Sequence, residues 1–535
     1  MTDKTASLQK HNVGQIGNLP AGVSLGRLFP RIVGAIALSA TLAFAQLGPP
    51  PSSGGSTTAA QLPLSGRTGQ SGSVGTTQSP VPGTTSSVNT LNSGVSISGN
   101  YAGSTSSTAA LPFSGKLSLH EAVERGLAAN LSAIGLASAL RQAQGQAIVA
   151  RSALMPNING SFRENVLEQD LQVIGLNFPG VPHVVGPLAY FDLRATVTQT
   201  IADMTALNNM KAAREGITAQ RQAIQDARDV IVLAVGGAYL ETIAAKARVV
   251  AARAQLETVT AQFKQTQQNR ESGVATQIDL NRADVQQKVQ QQRIATLEND
   301  LSRQKINLAR LTGLPANDKF DITDDVPYSP APPLAVDDAV KQSLEARSDL
   351  KSAETQVRAA ERVKTAAKDE RLPSLAVSGD YGTLGPRFDE ARSTFTFAAS
   401  LKVPIWQGGR AAGDIEQADA ALEQRKAEVV DLRGQIESEI RNSYLDLEAA
   451  ASQVELSKAN QQLALDSLRL TQEKFEAGVS TSVEVTSAQQ DVASAQLDYI
   501  TSLFAHNLAK LSLARELGDA GKRLDDYIKV AEPQK

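Results

Sequence analysis

The sequence contains no cysteine and very few aromatic residues. Its 535 residues include 0 Cys, 1 Trp, 8 Tyr and 13 Phe. The absence of Cys excludes disulfide-bonded scaffolds, thiol nucleophiles and Cys-ligated zinc, and it excludes a lipid anchor on an N-terminal cysteine. Aromatic side chains bury the largest apolar areas, so this small number is poor material for the several compact domains that the length suggests.

An excess of charge of one sign is also lacking. The chain has 52 Lys+Arg and 55 Asp+Glu, a formal net charge of −3, which excludes the basic surface of a nucleic-acid-binding protein. The 4 His residues are scattered, and no G-x-x-x-x-G-K-[ST] phosphate loop is present. We therefore expect no catalytic site, no metal site and no cofactor.

The N-terminal part of the chain differs from the rest. Arg27 and Arg31 precede an apolar run, 32–45, that ends in a small-x-small sequence. This order is typical of a cleaved secretory signal, predicted at 1–45, with an uncleaved anchor as the alternative. Residues 46–113 are rich in Ser, Thr, Gly and Pro, and this composition predicts a disordered segment.

The remainder of the chain contains two related copies. Pro156 and Pro373 match at an offset of 217 residues, whereas Tyr239 and Tyr444 match at an offset of 205. The second copy is thus 12 residues shorter in one loop, and two copies predict one architecture built twice. The predicted segments are a first repeat at 114–314, a linker at 315–333, a second repeat at 334–518 and a tail at 519–535.

Each copy predicts the same order of elements. An amphipathic helix, 119–153 or 336–369, is followed by two segments in which apolar residues alternate with small or polar ones. Period two is typical of strands with one apolar face, and in Phe395–Val403 every odd position is apolar. A soluble hairpin is one interpretation, but an exported chain favours a membrane β-barrel. Four strands cannot close a barrel, which needs at least ~8, so subunits must share it.

The longest predicted elements contain no proline. Helix 203–271 would be ~100 Å long at ~1.5 Å per residue, and tight turns are predicted at Ser272–Val274 and Ala477–Val479. Before the second turn, heptads of apolar residues form two seams, one through Leu456, Leu463 and Leu470, the other through Val454, Leu468 and Phe475. Seams on opposite sides of a helix favour a closed ring of helices over a buried bundle helix.

Over about 117–518, the chain resembles the TolC family of outer-membrane efflux proteins. The features that carry the resemblance are the two copies, the strand pairs between helices and the Gly-Val turns at the tips of long hairpins. The resemblance implies a mainly α fold in which long helical hairpins form a periplasmic α-barrel. It implies a homotrimer, each subunit contributing four strands to a twelve-strand β-barrel in the outer-membrane lipid. The family is not enzymatic.

The resemblance also implies a function and partners. A channel of this kind passively conducts substrates to the cell exterior, in efflux or type I secretion. Its partners are a periplasmic adaptor (membrane fusion protein) and an inner-membrane pump of RND, MFS or ABC type, which supplies the energy. A non-conducting coiled-coil scaffold of the envelope is the alternative.

The tips are the first candidate site. Gly273-Val274 and Gly478-Val479 resemble the family's adaptor-docking turns. A Gly permits the positive φ of such a reversal, and the Val after it would be exposed to the partner. A simple structural turn would need the same Gly.

A periplasmic gate is the second candidate site. Glu484 falls where the family has an acidic ring at the tunnel entrance, and such a ring favours cations. Asp279 matches an acidic residue that latches the closed mouth to a Tyr in the best-known member. The corresponding residue is Phe475, which has no hydroxyl for that hydrogen bond, so we expect this gate either to be held shut by packing or to rest more open.

Overall fold

A computed structural model describes residues 72–81, 90–105, 113–172, 179, 182–317 and 319–530. The predicted signal peptide at 1–45 lies outside this part of the chain. So do most of the predicted segment 46–113 and the last five residues of the predicted tail.

The prediction of disorder is wrong for the described part of 46–113. Strands β1 (Val74–Val81) and β2 (Thr90–Ile97) form an antiparallel hairpin, and a short 3-10 turn at Gly99–Ala102 follows. Val95 and Ile97 of β2 pack against the main hydrophobic core. The hairpin is ordered because it covers apolar surface contributed by distant parts of the chain.

The remaining elements occur in two halves with the same order: two helices, two strands, then two long helices. The first half contains β3 (Lys116–Leu117), α1 (Leu119–Ala129), α2 (Leu131–Ser152), β4 (Asn157–Asp170), β5 (Val184–Ala202), α3 (Met204–Glu271) and α4 (Gln277–Thr312). The second contains β6 (Asp321–Ile322), α5 (Val336–Ala346), α6 (Ser348–Asp369), β7 (Ser374–Gly385), β8 (Arg392–Lys402), α7 (Arg410–Glu476), α8 (Ser482–Glu516) and α9 (Leu524–Tyr527).

The leading helix of each half is broken, so the predictions of single helices over 119–153 and 336–369 are wrong. Asn130 separates α1 from α2 with φ −63° and ψ 133°, and Arg347 separates α5 from α6 with φ −58° and ψ 129°. One extended residue ends the run of helical hydrogen bonds and redirects the chain. The two break residues are 217 positions apart, the offset of the sequence repeat.

The break at Asn130 forms what we call the first joint, together with the end of α4. The Asn130 amide donates to the carbonyl of Tyr101 at 2.9 Å and accepts from the Ser132 N–H at 2.9 Å. Two backbone bonds of 2.9 Å tie residues 103–105 to the same place. Gly313, with φ 73°, ends α4 against it.

The four long strands form one antiparallel sheet in the order β4-β5-β7-β8. Its register places the apolar alternate positions of all four strands on one face, as the period-two pattern predicts; for example, Phe162 pairs with Leu193. That face, which we call the apolar face, carries nine exposed large apolar side chains: Ile158, Phe162, Val166, Leu193, Val197, Tyr381, Phe395, Phe397 and Leu401.

The main core lies midway along the helices, where α4 and α8 end. The middle of α3 passes through it, and Gly236 and Gly237 allow close approach there: a Cβ would lie 2.8 Å from Leu511 and 2.3 Å from Val95, respectively. This helix contains a stretch apolar enough to cross a membrane, but 78% of that stretch is buried inside the protein. It is therefore a core helix.

Matching tyrosines anchor the two halves at this level. The Tyr239 hydroxyl donates to the Leu117 carbonyl at 2.9 Å, and the Tyr444 hydroxyl donates to the Leu334 carbonyl at 3.0 Å. The linker at 315–333 runs across the same core, where β6 pairs in parallel with β3.

Candidate functional site

Both helical hairpins turn at the predicted glycines. Gly273 has φ 78° and Gly478 has φ 72°. The Val274 N–H donates to the Asn269 carbonyl at 2.7 Å, and the Val479 N–H donates to the Lys474 carbonyl at 2.9 Å. Each Gly N–H also donates, at 3.0 Å, to the carbonyl three residues before it. Together these bonds are those of a helix end closed by a left-handed residue.

The side chains after the glycines point away from the protein. Val274 is 79% exposed and Val479 is 78% exposed. Nothing lies within 4 Å of a Cβ built on either Gly, so the positive φ rather than crowding requires glycine here. Each tip presents one apolar side chain on a tight, open turn.

Asp279 starts α4 and also contacts the second hairpin. Its carboxylate accepts the Thr276 N–H at 3.1 Å while the Thr276 hydroxyl accepts the Asp279 N–H at 3.2 Å, a reciprocal capping box. Its other oxygen accepts the Ser482 hydroxyl at 3.0 Å. The hydrogen bonds from Thr276, then that from Ser482, hold the pKa of Asp279 below its usual range.

Glu484 occupies the equivalent place at the start of α8. Thr481 caps this helix, and its hydroxyl accepts the Glu484 N–H at 3.3 Å. The Ser480 hydroxyl donates to the Glu484 carboxylate. Asp279 and Glu484 are 205 positions apart, which is the second offset of the repeat. The two predicted gate acids therefore occupy equivalent positions in the two copies.

Phe475 packs on its own hairpin. It lies against an apolar cluster that contains Leu468, Val485 and Val492. The Asp279 carboxylate of the first hairpin instead accepts the hydroxyl of Ser482, a residue that we did not predict. The T-x-x-D and T-x-x-E sequences that begin α4 and α8 are recognisable as capping boxes, and they would have drawn attention to the Thr and Ser residues around both acids.

Further contacts join α3 to α8 above the tips. The Gln489 amide donates to the Gln262 side chain, and Gln255 donates to the Gln489 carbonyl at 3.4 Å. The amide groups exchange hydrogen bonds without charge, so these contacts hold two helices side by side at little desolvation cost.

The face of the sheet opposite the apolar face carries charge. Arg194 of β5 contacts Asp192 at 3.2 Å, the Thr394 hydroxyl at 3.3 Å and the Asp380 carboxylate. Strands that separate lipid from a polar interior have this combination of one apolar face and one polar face. Within the described residues, no group of three or more His, Cys, Asp or Glu side chains could hold a metal ion.

Sequence comparisons identify relatives. The chain is 27% identical over 328 residues to outer membrane protein OprJ of Pseudomonas aeruginosa, covering 58% of this chain and 67% of OprJ. It is 23% identical over 397 residues to outer membrane protein TolC of Vibrio cholerae, covering 71% of this chain and 86% of TolC.

Solved structures share the fold. VceC of Vibrio cholerae aligns with a TM-score of 0.64 at 18% identity, covering 75% of this chain and 96% of VceC. The Campylobacter jejuni CmeC outer membrane channel aligns with a TM-score of 0.64 at 16% identity, covering 75% and 86%.

The strongest assignment comes from the family comparison. Residues 127–314 and 339–519, more than half of the chain, match the family described as outer membrane efflux protein. Its members are TolC-like proteins of the outer membrane that form channels and are not enzymes. The chain belongs to the outer membrane efflux protein family.

Proposed function

We propose that the protein is one subunit of a homotrimeric channel that passively conducts substrates from an inner-membrane pump, through a periplasmic adaptor, to the cell exterior. The apolar face of the sheet is the observation that carries this proposal. Nine large apolar side chains, all between 40% and 79% exposed, form a surface that soluble proteins rarely expose but that lipid would cover.

The open edges of the sheet support shared closure. β4 and β8 are its outer strands, and four strands are fewer than the ~8 that a closed barrel requires. Three copies joined edge to edge would give twelve strands. Ile405 and Trp406, 95% and 88% exposed just after β8, suit the interfacial belt at the rim of such a barrel.

The helix seams support a ring. On α7, Val454 and Leu468 are buried within the subunit, whereas Leu456, Leu463 and Leu470 are 62%, 68% and 48% exposed. One predicted seam is therefore filled and the other is free to pack on a neighbouring subunit. That packing would close the helices around a tunnel.

The exposed tip valines support docking of an adaptor. Val274 and Val479 offer two similar apolar contacts per subunit, on turns whose backbone is already satisfied by hydrogen bonds. The pump, of RND, MFS or ABC type, would supply the energy. Relatives named for export of pyoverdine and for cobalt-zinc-cadmium resistance indicate the range of cargo open to this architecture.

The gate would contain both acids. Asp279 and Glu484 from each of three subunits would concentrate negative potential near the tips and favour cations. In each subunit, Asp279 and Ser482 join the two hairpins. We propose this bond, together with packing of Phe475, as what holds the mouth closed in place of the family's tyrosine.

Conductance in planar lipid bilayers tests the channel. The purified full-length protein is expected to form pores with cation selectivity, and Glu484→Gln and Asp279→Asn are each expected to lower that selectivity. Asp279→Asn should also raise the open fraction, because the amide is a weaker acceptor for Ser482. Glu455→Gln, an exposed position elsewhere on α7, is the matched control.

The outcomes separate the alternatives. Absence of conductance under all conditions would overturn the channel and favour a non-conducting scaffold. Pores whose reversal potential is unchanged in both acid variants would retain the channel and remove the acids from the gate.

A further inference from the structure

A cluster of charged side chains fills the second joint, which we define as the place where α6 begins and α8 ends. Arg347 lies at the break before α6 and is only 3% exposed. The other members of the cluster come from four helices. The six members of the cluster are Asp226 of α3, Arg347, Asp349 of α6, Glu439 of α7, and Arg515 and Glu516 of α8.

Arg347 is the centre of the cluster. Its Nη2 lies 2.7 Å from the Asp349 carboxylate. Its Nη1 lies 2.6 Å from Glu439 Oε2 and 2.7 Å from Glu516 Oε2. A single guanidinium nitrogen therefore holds one carboxyl oxygen from each of two helices.

That arrangement brings the two glutamates together. Glu439 Oε2 and Glu516 Oε2 both lie against this one nitrogen. An ionised carboxylate can only accept hydrogen bonds, so two ionised carboxylates held this close repel each other. A proton on one of them replaces that repulsion with a hydrogen bond.

The charge count also calls for a proton. Four carboxylates face two guanidinium groups in a largely buried site, which leaves two negative charges if every acid is ionised. The nearby Asp229 carboxylate is 4% exposed and accepts the Gly521 N–H at 2.9 Å, and it adds to the excess. Asp519 is engaged by Gln342 at 2.9 Å.

The cations beyond the cluster do not restore the balance. Lys522 and Arg523 are exposed to solvent, and Arg523 pairs with Asp526 at 2.7 Å and Asp519 at 3.6 Å. Screening by water weakens the effect of exposed charges on a buried site. Arg515, at 3.0 Å from Glu516, is already counted within the cluster.

We propose that Glu439 and Glu516 form a proton-binding site, in which one shared proton fixes the end of α8 to α7 and to Arg347, and whose deprotonation loosens the second joint. Nothing about this site depends on conduction. The effect of this loosening on the tunnel rests on the proposed channel function. It would reach the tunnel because α7 and α8 together form the hairpin that carries the second tip.

The environment assigns the proton to Glu516. Burial raises the pKa of Glu516 to about 7, and the hydrogen bond with Glu439 adds to this rise. Burial alone would also raise the pKa of Glu439, but its hydrogen bond with Glu516 and the charge of Arg347 bring it down to about 2. Glu516 is thus the donor and Glu439 the acceptor.

The sign of the pH dependence follows from the raised pKa. The folded protein holds the Glu516 proton up to about pH 7, whereas the unfolded chain releases it near 4.5. Stability from this group is therefore fully present below pH 4.5 and is lost as pH rises towards and through 7. Asp226 and Asp229, whose pKa values burial raises to about 6, complete their loss earlier.

Glu516→Gln in the full-length protein tests the proposal. Its amide keeps a donor towards Glu439 and an acceptor for Arg347, so it imitates the protonated acid permanently. Between about pH 4.5 and 7.5, the thermal unfolding midpoint of the wild type should fall by several degrees more than that of Glu516→Gln, which retains only the losses due to Asp226 and Asp229. Glu437→Gln, an exposed position on α7, should behave as the wild type.

Infrared difference spectroscopy of the wild type provides a test that needs no variant. Isotope-labelled glutamate should show a protonated carboxyl band that disappears as pH rises through about 7. If the band is absent, or if Glu516→Gln retains the full wild-type loss of stability between about pH 4.5 and 7.5, the proton site is overturned. A planar-bilayer experiment that found no pore would leave these two results unaffected.

Discussion

The first and second joints occupy equivalent places in the two halves of the subunit, yet they are held by different chemistry. At the first joint, Asn130 exchanges neutral hydrogen bonds with backbone groups, and residues 103–105 of the N-terminal segment complete them. At the second, Arg347 stands in the place of Asn130 and gathers carboxylates from three helices. Hydrogen bonds to a backbone segment hold the first joint, whereas ion pairs hold the second.

The difference affects how each joint responds to its surroundings. Neutral hydrogen bonds depend little on pH or salt, whereas a buried ion cluster depends on the protonation of each member. The two halves share an architecture, but of the two joints, as far as their residues are described, the second has a centre whose charge can change.

The largest effect is expected from removing the central ions. Arg347→Ala leaves Asp349, Glu439 and Glu516 buried without their cation, which should destabilise the protein by about 3–5 kcal/mol. Asn130→Ala, the matched change at the first joint, removes a helix cap and leaves one carbonyl without a partner, at a cost of about 1–3 kcal/mol. Urea unfolding followed by circular dichroism measures both. Equal losses would mean that the charges matter no more than a neutral cap.

A smaller effect is expected from the glycines that end the long helices. Gly313 and Gly518 have φ 73° and 74°, so alanine at either place costs about 1–2 kcal/mol in backbone strain. A Cβ on Gly313 would also lie 2.5 Å from the Ala129 Cβ, whereas one on Gly518 would approach Arg347 to 3.3 Å. Gly313→Ala should therefore be the more destabilising in the same assay, and the reverse order would show that the second joint is the tighter.

The smallest effect is expected at the margin of the second joint and has the opposite sign. Burial raises the pKa of Asp229 to about 6, so its stability contribution falls as pH rises from 3.8 to about 6. Asp229→Asn keeps an acceptor for the Gly521 N–H and should stabilise the protein by about 1–2 kcal/mol at neutral pH. At pH 4 the variant and the wild type should unfold alike, and a gain at pH 4 as large as that at pH 7 would contradict the role of charge.

The features predictable from sequence were those with a repeating pattern. Alternation in Phe395–Val403 predicted a strand and its apolar face, and the proline-free heptads predicted the long helices. Gly273 and Gly478 predicted both turns. In each case the prediction came from a repeating pattern of apolar residues, or from a glycine at a position that requires a positive φ.

The features that the sequence did not predict depend on contacts between distant residues. Arg347 resembles any helix-surface arginine until folding brings Glu439 and Glu516 to it. Ser482 has a recognisable role only in the folded chain, where its hydroxyl donates to Asp279 of the first hairpin. The β1–β2 hairpin, with few strong apolar residues of its own, is ordered by a surface assembled from the other end of the chain.

That last contact also constrains the order in which the subunit can fold. The Thr76 hydroxyl meets the Ser512 hydroxyl at 3.3 Å although the two residues are 436 positions apart, and Gly237 lies against Val95. The surface on which the β1–β2 hairpin docks is therefore incomplete until α8 has been made and has packed. Contacts of such long range form late, because loop closure must be completed first. Docking of this hairpin would thus mark a finished subunit, because it would distinguish a complete chain from one that is still being synthesised.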